Sequence, residues 1–414
     1  LFVTSARDRL EETMTTSPTP LTDLGARVDE ISTRVVDRRR YLHERPELSY
    51  RESETSAFIV AELERIGGFA EISRPTATSV VADLRGGRPG PRIAVRSDHD
   101  ALPIEEATGL PFASKNPGVM HACGHDGHTS MMLGVAEVLA PLAADLAGEV
   151  RFLFEHGEEA LPGGASQMVA AGAMEGVDRV IGQHLWAWFP LGKVSVRPGP
   201  VMASCDVFEI VVRGRGGHIS KPQDAIDPLA IGAQIVTNLQ HIVAREVDPQ
   251  EIAVVGVTQF EAGESVGVIP QTARLEGGTN MFSPAVRDLL ERRIGEVAAG
   301  ICAAHGAACD YTYTRGYDAV VNDPATTEIV AAAARRALGE EAVYEGELIL
   351  GGEDFSAFQA CAPGTFLLLG ARDPQAGEIH DHHHPEFDID ERALANGVKV
   401  ISESVVALLE AGKP

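Results

Sequence analysis

The sequence predicts an α/β protein with a small α+β domain inserted into it, and three observations carry that reading. Short β-rich runs alternate with amphipathic stretches up to about residue 190, and several of those runs end in clusters of Asp, Glu and His. Between residues 200 and 321 the order becomes strand, helix, two strands, helix, strand, which is the ferredoxin-like split unit able to stand as an independent domain. Near Asn322 the first pattern resumes. The expected organisation is a flexible leader over 1–20, a main domain made of 21–199 and 322–414, and an insert over 200–321. A chain of 414 residues with 44% hydrophobic content can bury the cores that such a plan needs.

The elements follow in order. Residues 1–20 hold few periodic apolar positions and end in Thr-Thr-Ser-Pro-Thr-Pro, with Met14 a candidate natural start. Leu24, Val28, Ile31, Val35 and Val36 recur at helical spacing until Pro46 breaks the pattern, and a second helix spans Ser53 to Ile66 before Gly67-Gly68. His43 reads as structural. Val80 to Leu84 and Arg92 to Arg96 read as successive strands across a Gly/Pro turn, the second running into Ser97-Asp98-His99-Asp100. Then comes His121-Ala122-Cys123-Gly124-His125-Asp126-Gly127-His128, with a helix expected from near His128 over the apolar run Met131 to Leu139. Strand Val150 to Phe154 delivers Glu155-His156-Gly157-Glu158-Glu159, helix Ala165 to Ala171 follows, and strand Val180 to Trp186 carries His184.

In the insert, Cys205 to Val212, Ile252 to Glu261, Thr272 to Gly278 and Ala308 to Thr314 read as strands, and Ile226 to Val243 and Pro284 to Ala304 as helices. The main domain returns with helix Ala325 to Leu338, the turn Gly351 to Phe355, strand Thr365 to Leu369 and helix Glu391 to Leu409. Just before that last helix lies His380-Asp381-His382-His383-His384.

The chemistry concentrates in those clusters. Three imidazoles, a thiol and a carboxylate within eight residues are ligand types for zinc or another borderline transition metal. Cys123 and His125, two apart, would share a face in an extended segment. Adjacent Glu158 and Glu159 can divide labour beside a cation, one binding it while the other moves a proton. Asp98 and Asp100 stand at a strand end, where open α/β sheets place their ligand crevice.

Composition excludes other classes. With 35 Lys and Arg against 60 Asp and Glu, the net charge of -25 repels nucleic acid and anionic membranes. Five scattered cysteines argue against a disulfide framework, and no apolar stretch approaches the roughly 20 residues of a membrane span, so a cytoplasmic protein is expected.

From about residue 28 to 410 the chain resembles the M20 metallopeptidase and amidohydrolase family, in its branch of N-acyl-amino-acid amidohydrolases, hippurate hydrolases and plant auxin-conjugate hydrolases. Arg96-x-Asp98-x-Asp100-Ala-Leu-Pro, His121-Ala-Cys123-Gly-His125-Asp126, Glu158-Glu159, Gly217-His218, Glu353-Asp354-Phe355 and His383-x-Pro385-x-Phe387 carry the resemblance. It implies a zinc-peptidase-like catalytic domain with an inserted dimerisation or lid domain. It further implies two divalent ions per subunit, zinc or manganese, on Cys123, His125, Glu159, His184 and His383. Glu158 would be the general base, and Asp100 and Asp126 would orient the ligating imidazoles. His218 would reach across a homodimer interface to the partner's small-molecule N-acyl substrate and its oxyanion. The expected reaction is metal-dependent hydrolysis of an N-acyl amide bond.

Two positions depart from the family's pattern. Gly267 stands where relatives carry an asparagine before Val-Ile-Pro, and Met281 where they carry an arginine that grips a substrate carboxylate. A thioether cannot form the bidentate contact of a guanidinium, so weaker dependence on a free α-carboxylate is expected. The competing readings are an inactive binding protein on the same scaffold, a metal-dependent dipeptidase or carboxypeptidase, and a cysteine hydrolase using Cys123. No G-x-G-x-x-G follows an expected strand, which disfavours a dinucleotide role.

Overall fold

The computed structural model describes residues 21, 23–375 and 377–414, so the expected leader lies outside the described residues. Helix α1 (Leu24–His43) buries Leu24, Val28, Ile31, Val35 and Leu42 along one stripe, and α2 (Ser53–Ile66) ends where Gly67 takes a left-handed φ of 75°. There follow β1 (Glu71–Ser73), β2 (Val80–Arg85), β3 (Arg88–Asp98), α3 (His125–Leu139), β4 (Ala147–Glu155), α4 (Gly164–Ala170), β5 (Arg179–Pro190), β6 (Val194–Ser195) and β7 (Gly199–Met202). The insert holds β8 (Ser204–Arg213), β9 (Gly217–His218), α5 (Pro228–Arg245), β10 (Ala253–Ala262), β11 (Val268–Ile269), β12 (Thr272–Met281), α6 (Pro284–Ala304) and β13 (Ala308–Tyr317). The chain returns through β14 (Val320–Asn322), α7 (Pro324–Leu338), β15 (Val343–Tyr344), α8 (Ser356–Gln359), β16 (Gly364–Arg372) and α9 (Arg392–Ala411).

One eight-stranded sheet, in the order β1-β2-β4-β3-β5-β16-β6-β15, forms the main layer. Its centre, β4-β3-β5-β16, is parallel throughout, and such strands need cover on both faces. Alternation supplies it. Val95 joins the core under α1, α3, α7 and α9, while its neighbour Ala94 joins the opposite core with Met168 of α4 and Phe358 of α8. The two strands read as successive, β2 and β3, do not pair with each other: each pairs with β4, which lies between them. The glycines of their connection serve packing, since a Cβ on Gly87 would lie 2.2 Å from the carbonyl oxygen of Ala144.

Parallel register sets the height of the site. Asp98 pairs with Glu155 and Arg96 with Gly182, so Asp98, Glu155 and His184 come to one level across three adjacent strands. His184 therefore lies inside β5, which runs on to Pro190, and not at the end of a strand.

The insert forms its own antiparallel sheet in the order β10-β12-β8-β13, the order of the ferredoxin-like unit. Helices α5 and α6 close a separate core around Ile210, Val212, Leu239, Leu275 and Leu290. Asp227 starts α5 by accepting from the main-chain N–H of Leu229 and Ala230. Among the described residues no helix is long and apolar enough to cross a membrane.

Candidate metal centre

The loop after β3 and the start of α3 bring Cys123 and His125 to the sheet. The segment is not extended as expected: Gly124 takes a left-handed φ of 89° and caps α3, which starts at His125, three residues earlier than the sequence suggested. This places His125 and His128 three apart on one helical face, and both rings turn inward. Cys123 Sγ lies 3.4 Å from His184 Nε2. Glu159, delivered by the loop after β4, lies 3.8 Å from His125 Nε2 and 3.3 Å from His383 Nε2.

All five expected ligands thus face one another. Cys123, His125 and His184 form one triad and Cys123, Glu159 and His383 a second, in each of which one donor atom per residue lies within 4.8 Å of the others. Of the late histidine run only His383 joins them. His382 instead contacts the carbonyl of Leu185 at 3.0 Å and the ring of Trp186, and His380 pairs with Glu386 at 3.1 Å. His383 takes a positive φ of 67°, a strained conformation for a histidine, and its N–H donates to the carbonyl of Ala122 at 2.8 Å. That bond ties the late loop to the Cys123 loop.

Electrostatics distinguishes the members. Burial opposes a charge on His125, but Asp98, Asp100 and Glu159 outweigh it and carry its pKa up to about 10. Asp100 Oδ1 meets His125 Nδ1 at 3.2 Å, which fixes the ring and leaves Nε2 facing both Asp98 and Glu159. Burial and the neighbouring His128 and His382 hold His184 well below the usual imidazole range, so it is neutral. Burial, then Glu159 and Glu158, push the Cys123 thiol well up, the opposite of what an activated nucleophile needs. Glu158 is buried next to Glu159, Glu353 and Asp354, and burial followed by Glu353 and Glu159 raises it well above the carboxylate range.

Such a set fits divalent cations. His125 Nε2 and Glu159 Oε1 are buried without a hydrogen-bond partner, pointing into the space their neighbours enclose. Thiolate, imidazole and carboxylate together suit zinc or manganese, and positive charge would relieve the repulsion among the acids.

The remaining expectations divide. Asp126 does not orient a ligating ring; it turns away from the centre to His43 Nδ1 at 2.8 Å and Arg39 Nε at 3.1 Å. His43 is fully buried, its ring held between Asp126 and Glu106. His218 is not in the cluster. It lies exposed on the β9–β11 ribbon of the insert, its ring bonded to Ser220. Met281 cannot stand where a substrate is gripped, because it is fully buried in the insert's core; strand alternation presents Asn280 instead, whose amide donates to the carbonyl of Leu350 at 2.9 Å.

Sequence reading named Asp98, His128 and Arg96 within their motifs but not the pairings they make. Asp98 Oδ1 bonds His128 Nδ1 at 2.6 Å, and His128 Nε2 accepts from the N–H of Leu185. The i, i+3 spacing of His125 and His128 and the two-residue spacing of Asp98 and Asp100 were the available signals. Arg96 lies fully buried among Asp98, Glu155, Glu353 and Asp354, a quartet drawn from three segments that no local spacing reveals.

Comparison with known proteins places the chain in a family. The model of peptidase family M20/M25/M40 matches residues 94–407. The N-acyl-L-amino acid amidohydrolase of Geobacillus stearothermophilus is 50% identical over 71% of this chain and 80% of its own length. The N-acetylcysteine deacetylase of Bacillus subtilis (strain 168) is 40% identical over 91% and 97%. Among solved structures, the Bacillus subtilis YXEP protein, described as a dinuclear metal-binding peptidase of the M20 family, superposes with a TM-score of 0.78 at 38% identity, covering 92% of this chain and 99% of that one. The resemblance drawn from the motifs therefore holds, and the chain belongs to peptidase family M20/M25/M40 as an enzyme of its amidohydrolase type.

Proposed function

We propose that the chain hydrolyses the N-acyl amide bond of small molecules, with two divalent ions, zinc or manganese, held by Cys123, His125, Glu159, His184 and His383. The observation that carries the reading is the convergence of those five side chains around unpartnered donor atoms, with the Glu158 carboxyl buried beside them. Bound there, such a pair would lower the pKa of a water towards about 7 and polarise an amide carbonyl.

The residues then have distinct tasks. Asp100 holds the tautomer and angle of His125. Glu158, whose proton affinity is raised by burial and then by its acidic neighbours, takes the proton of the attacking water and gives it to the departing amine. His218 completes the site from a second copy of the chain by donating to the developing oxyanion. Its exposure beside Ile219, Val266 and Val268 supports a homodimer through the insert, since such apolar side chains favour cover. Five free cysteines support a reducing, cytoplasmic setting.

Next to Leu350, strand β12 presents the amide of Asn280 rather than a guanidinium, so recognition of a free carboxylate is weak and N-acyl amides serve as well as acids. The test uses metal-stripped protein, zinc or manganese added back, a panel of N-acyl amino acids and their carboxamides, and Glu158→Gln. Turnover should require metal, and Glu158→Gln should keep its metal while losing about 10²–10⁴ in kcat. Turnover that survives chelation, or a Glu158→Gln variant as fast as wild type, defeats the proposal. A preference for acid over carboxamide of about a thousandfold would show that another group grips the carboxylate.

A further inference from the structure

The loop that carries Glu158 is held from two sides. Gly157 and Gly163 bound it, both at left-handed φ (65° and 86°). From the main domain, Tyr50 Oη donates to the carbonyl of Ala160 at 2.5 Å and accepts from the N–H of Gly163 at 3.1 Å. From the insert, Tyr317 Oη donates to the main-chain carbonyl of Glu158 itself at 2.5 Å. Tyr317 is the last residue of β13, paired with Cys205 at the start of β8, so it stands where the chain leaves the insert, beside the point where it enters.

Packing makes that junction tight. A Cβ on Gly163 would lie 2.8 Å from the Tyr317 ring and 2.4 Å from Asp354, and one on Gly352 would lie 2.8 Å from Cys205. Leu161 reaches back to Gly316, where a Cβ would meet its side chain at 3.0 Å. Burial, then Asp354 and Glu158, push the Tyr317 phenol well up, so it remains a donor at any working pH. The Glu158 side chain meanwhile sits between the ligand cluster and the Glu353–Asp354 pair.

We propose that Tyr317 is a positioning residue for the reaction: its hydroxyl, at the exit of the insert, fixes the main chain of Glu158 and so links the seat of the base to the placement of the insert. This rests on the reading of Glu158 as the base. Reacting groups misplaced by about 1 Å can cost on the order of 10²-fold in rate, and Tyr317→Phe removes the one hydrogen bond while keeping the ring.

Two readouts on the metal-loaded enzyme test it. Hydrogen exchange of the amides in 157–164 should accelerate in Tyr317→Phe relative to wild type, and kcat should fall by about 10²-fold with KM, metal content and Tm within error of wild type. Unchanged exchange in that segment overturns the link, and faster exchange with kcat within twofold of wild type overturns its role in positioning. A fall in kcat matched by lost metal also overturns it, because that marks a purely structural residue. Glu158→Gln, assayed alongside, separates the two layers: full activity there refutes the base, whereas the exchange readout on Tyr317→Phe does not depend on it.

Discussion

Among four neighbouring histidines, only His383 offers a donor atom to the proposed ligand set, and that selectivity is testable. Replacing His383 with Ala should weaken metal binding by at least about 10–100-fold, the loss typical even of supporting residues around a metal. His380→Ala and His384→Ala should leave it unchanged, because their rings face each other, 4.6 Å apart, and not Glu159. Calorimetric titration of apo protein checks both. His43 gives a second prediction, on stability. Burial disfavours its charge, yet Asp126 and Glu106 take its pKa up to about 9 from 6.5. A group raised in the folded state stabilises fully below its unfolded pKa, and the contribution is lost as pH rises through the folded value. The difference in unfolding free energy between wild type and His43→Gln should therefore shrink by up to about 3 kcal/mol between pH 6 and pH 10. Urea titrations at the two pH values measure it, and a gap that does not change with pH would show that the imidazole is neutral throughout.

At the scale of elements, two glycines near the centre should behave differently. A Cβ on Gly164, the first residue of α4, would lie 1.6 Å from the carbonyl oxygen of His156, a backbone atom that cannot move aside cheaply. Gly164→Ala should cost on the order of 3 kcal/mol and disturb the loop that holds Glu158. A Cβ on Gly124 would find ordinary contacts at 3.6 Å or more, so Gly124→Ala should cost only the left-handed backbone strain of about 1–2 kcal/mol. Urea midpoints rank the two. This contrast also explains what the sequence could convey. The elements of the insert were legible because Asp227 caps α5 and the apolar positions of β8, Phe208, Ile210 and Val212, alternate. Four of the proposed ligands, Cys123, His125, Glu159 and His383, were legible because they sit in compact motifs, whereas His184, alone within β5, was implied only by the family resemblance. Strands β1, β6 and β15, two or three residues long, carry no period to detect, and they exist only because a neighbouring strand offers an edge. The start of α3 moved because a left-handed Gly124 lets the helix begin at once. Tyr317 and the Arg96 quartet depend on residues more than 150 positions apart meeting in space, which local spacing does not encode.

The whole molecule joins two separately cored units, and the proposed ions would touch only one of them. Every proposed ligand belongs to the main domain, His184 within β5, His125 at the start of α3 and Cys123, Glu159 and His383 on loops, whereas the core around Ile210, Leu239 and Leu290 contains none. Anything that binds the folded state alone stabilises it by about 2.7 kcal/mol at a hundredfold excess over Kd, and here the benefit is larger in kind, because cations also relieve repulsion between the buried Glu158 and its neighbour Glu159. Scanning calorimetry should accordingly show that stripping the metal lowers the melting of the main domain by several degrees, and that adding zinc or manganese restores it. The insert has its own sheet and helices, and its melting should shift less. Equal shifts of both transitions, or one merged transition with and without metal, would mean that the junction around Tyr317 couples the two cores strongly enough for them to unfold together. In that case the contact between β13 and the Glu158 loop would carry folding stability as well as alignment of the base.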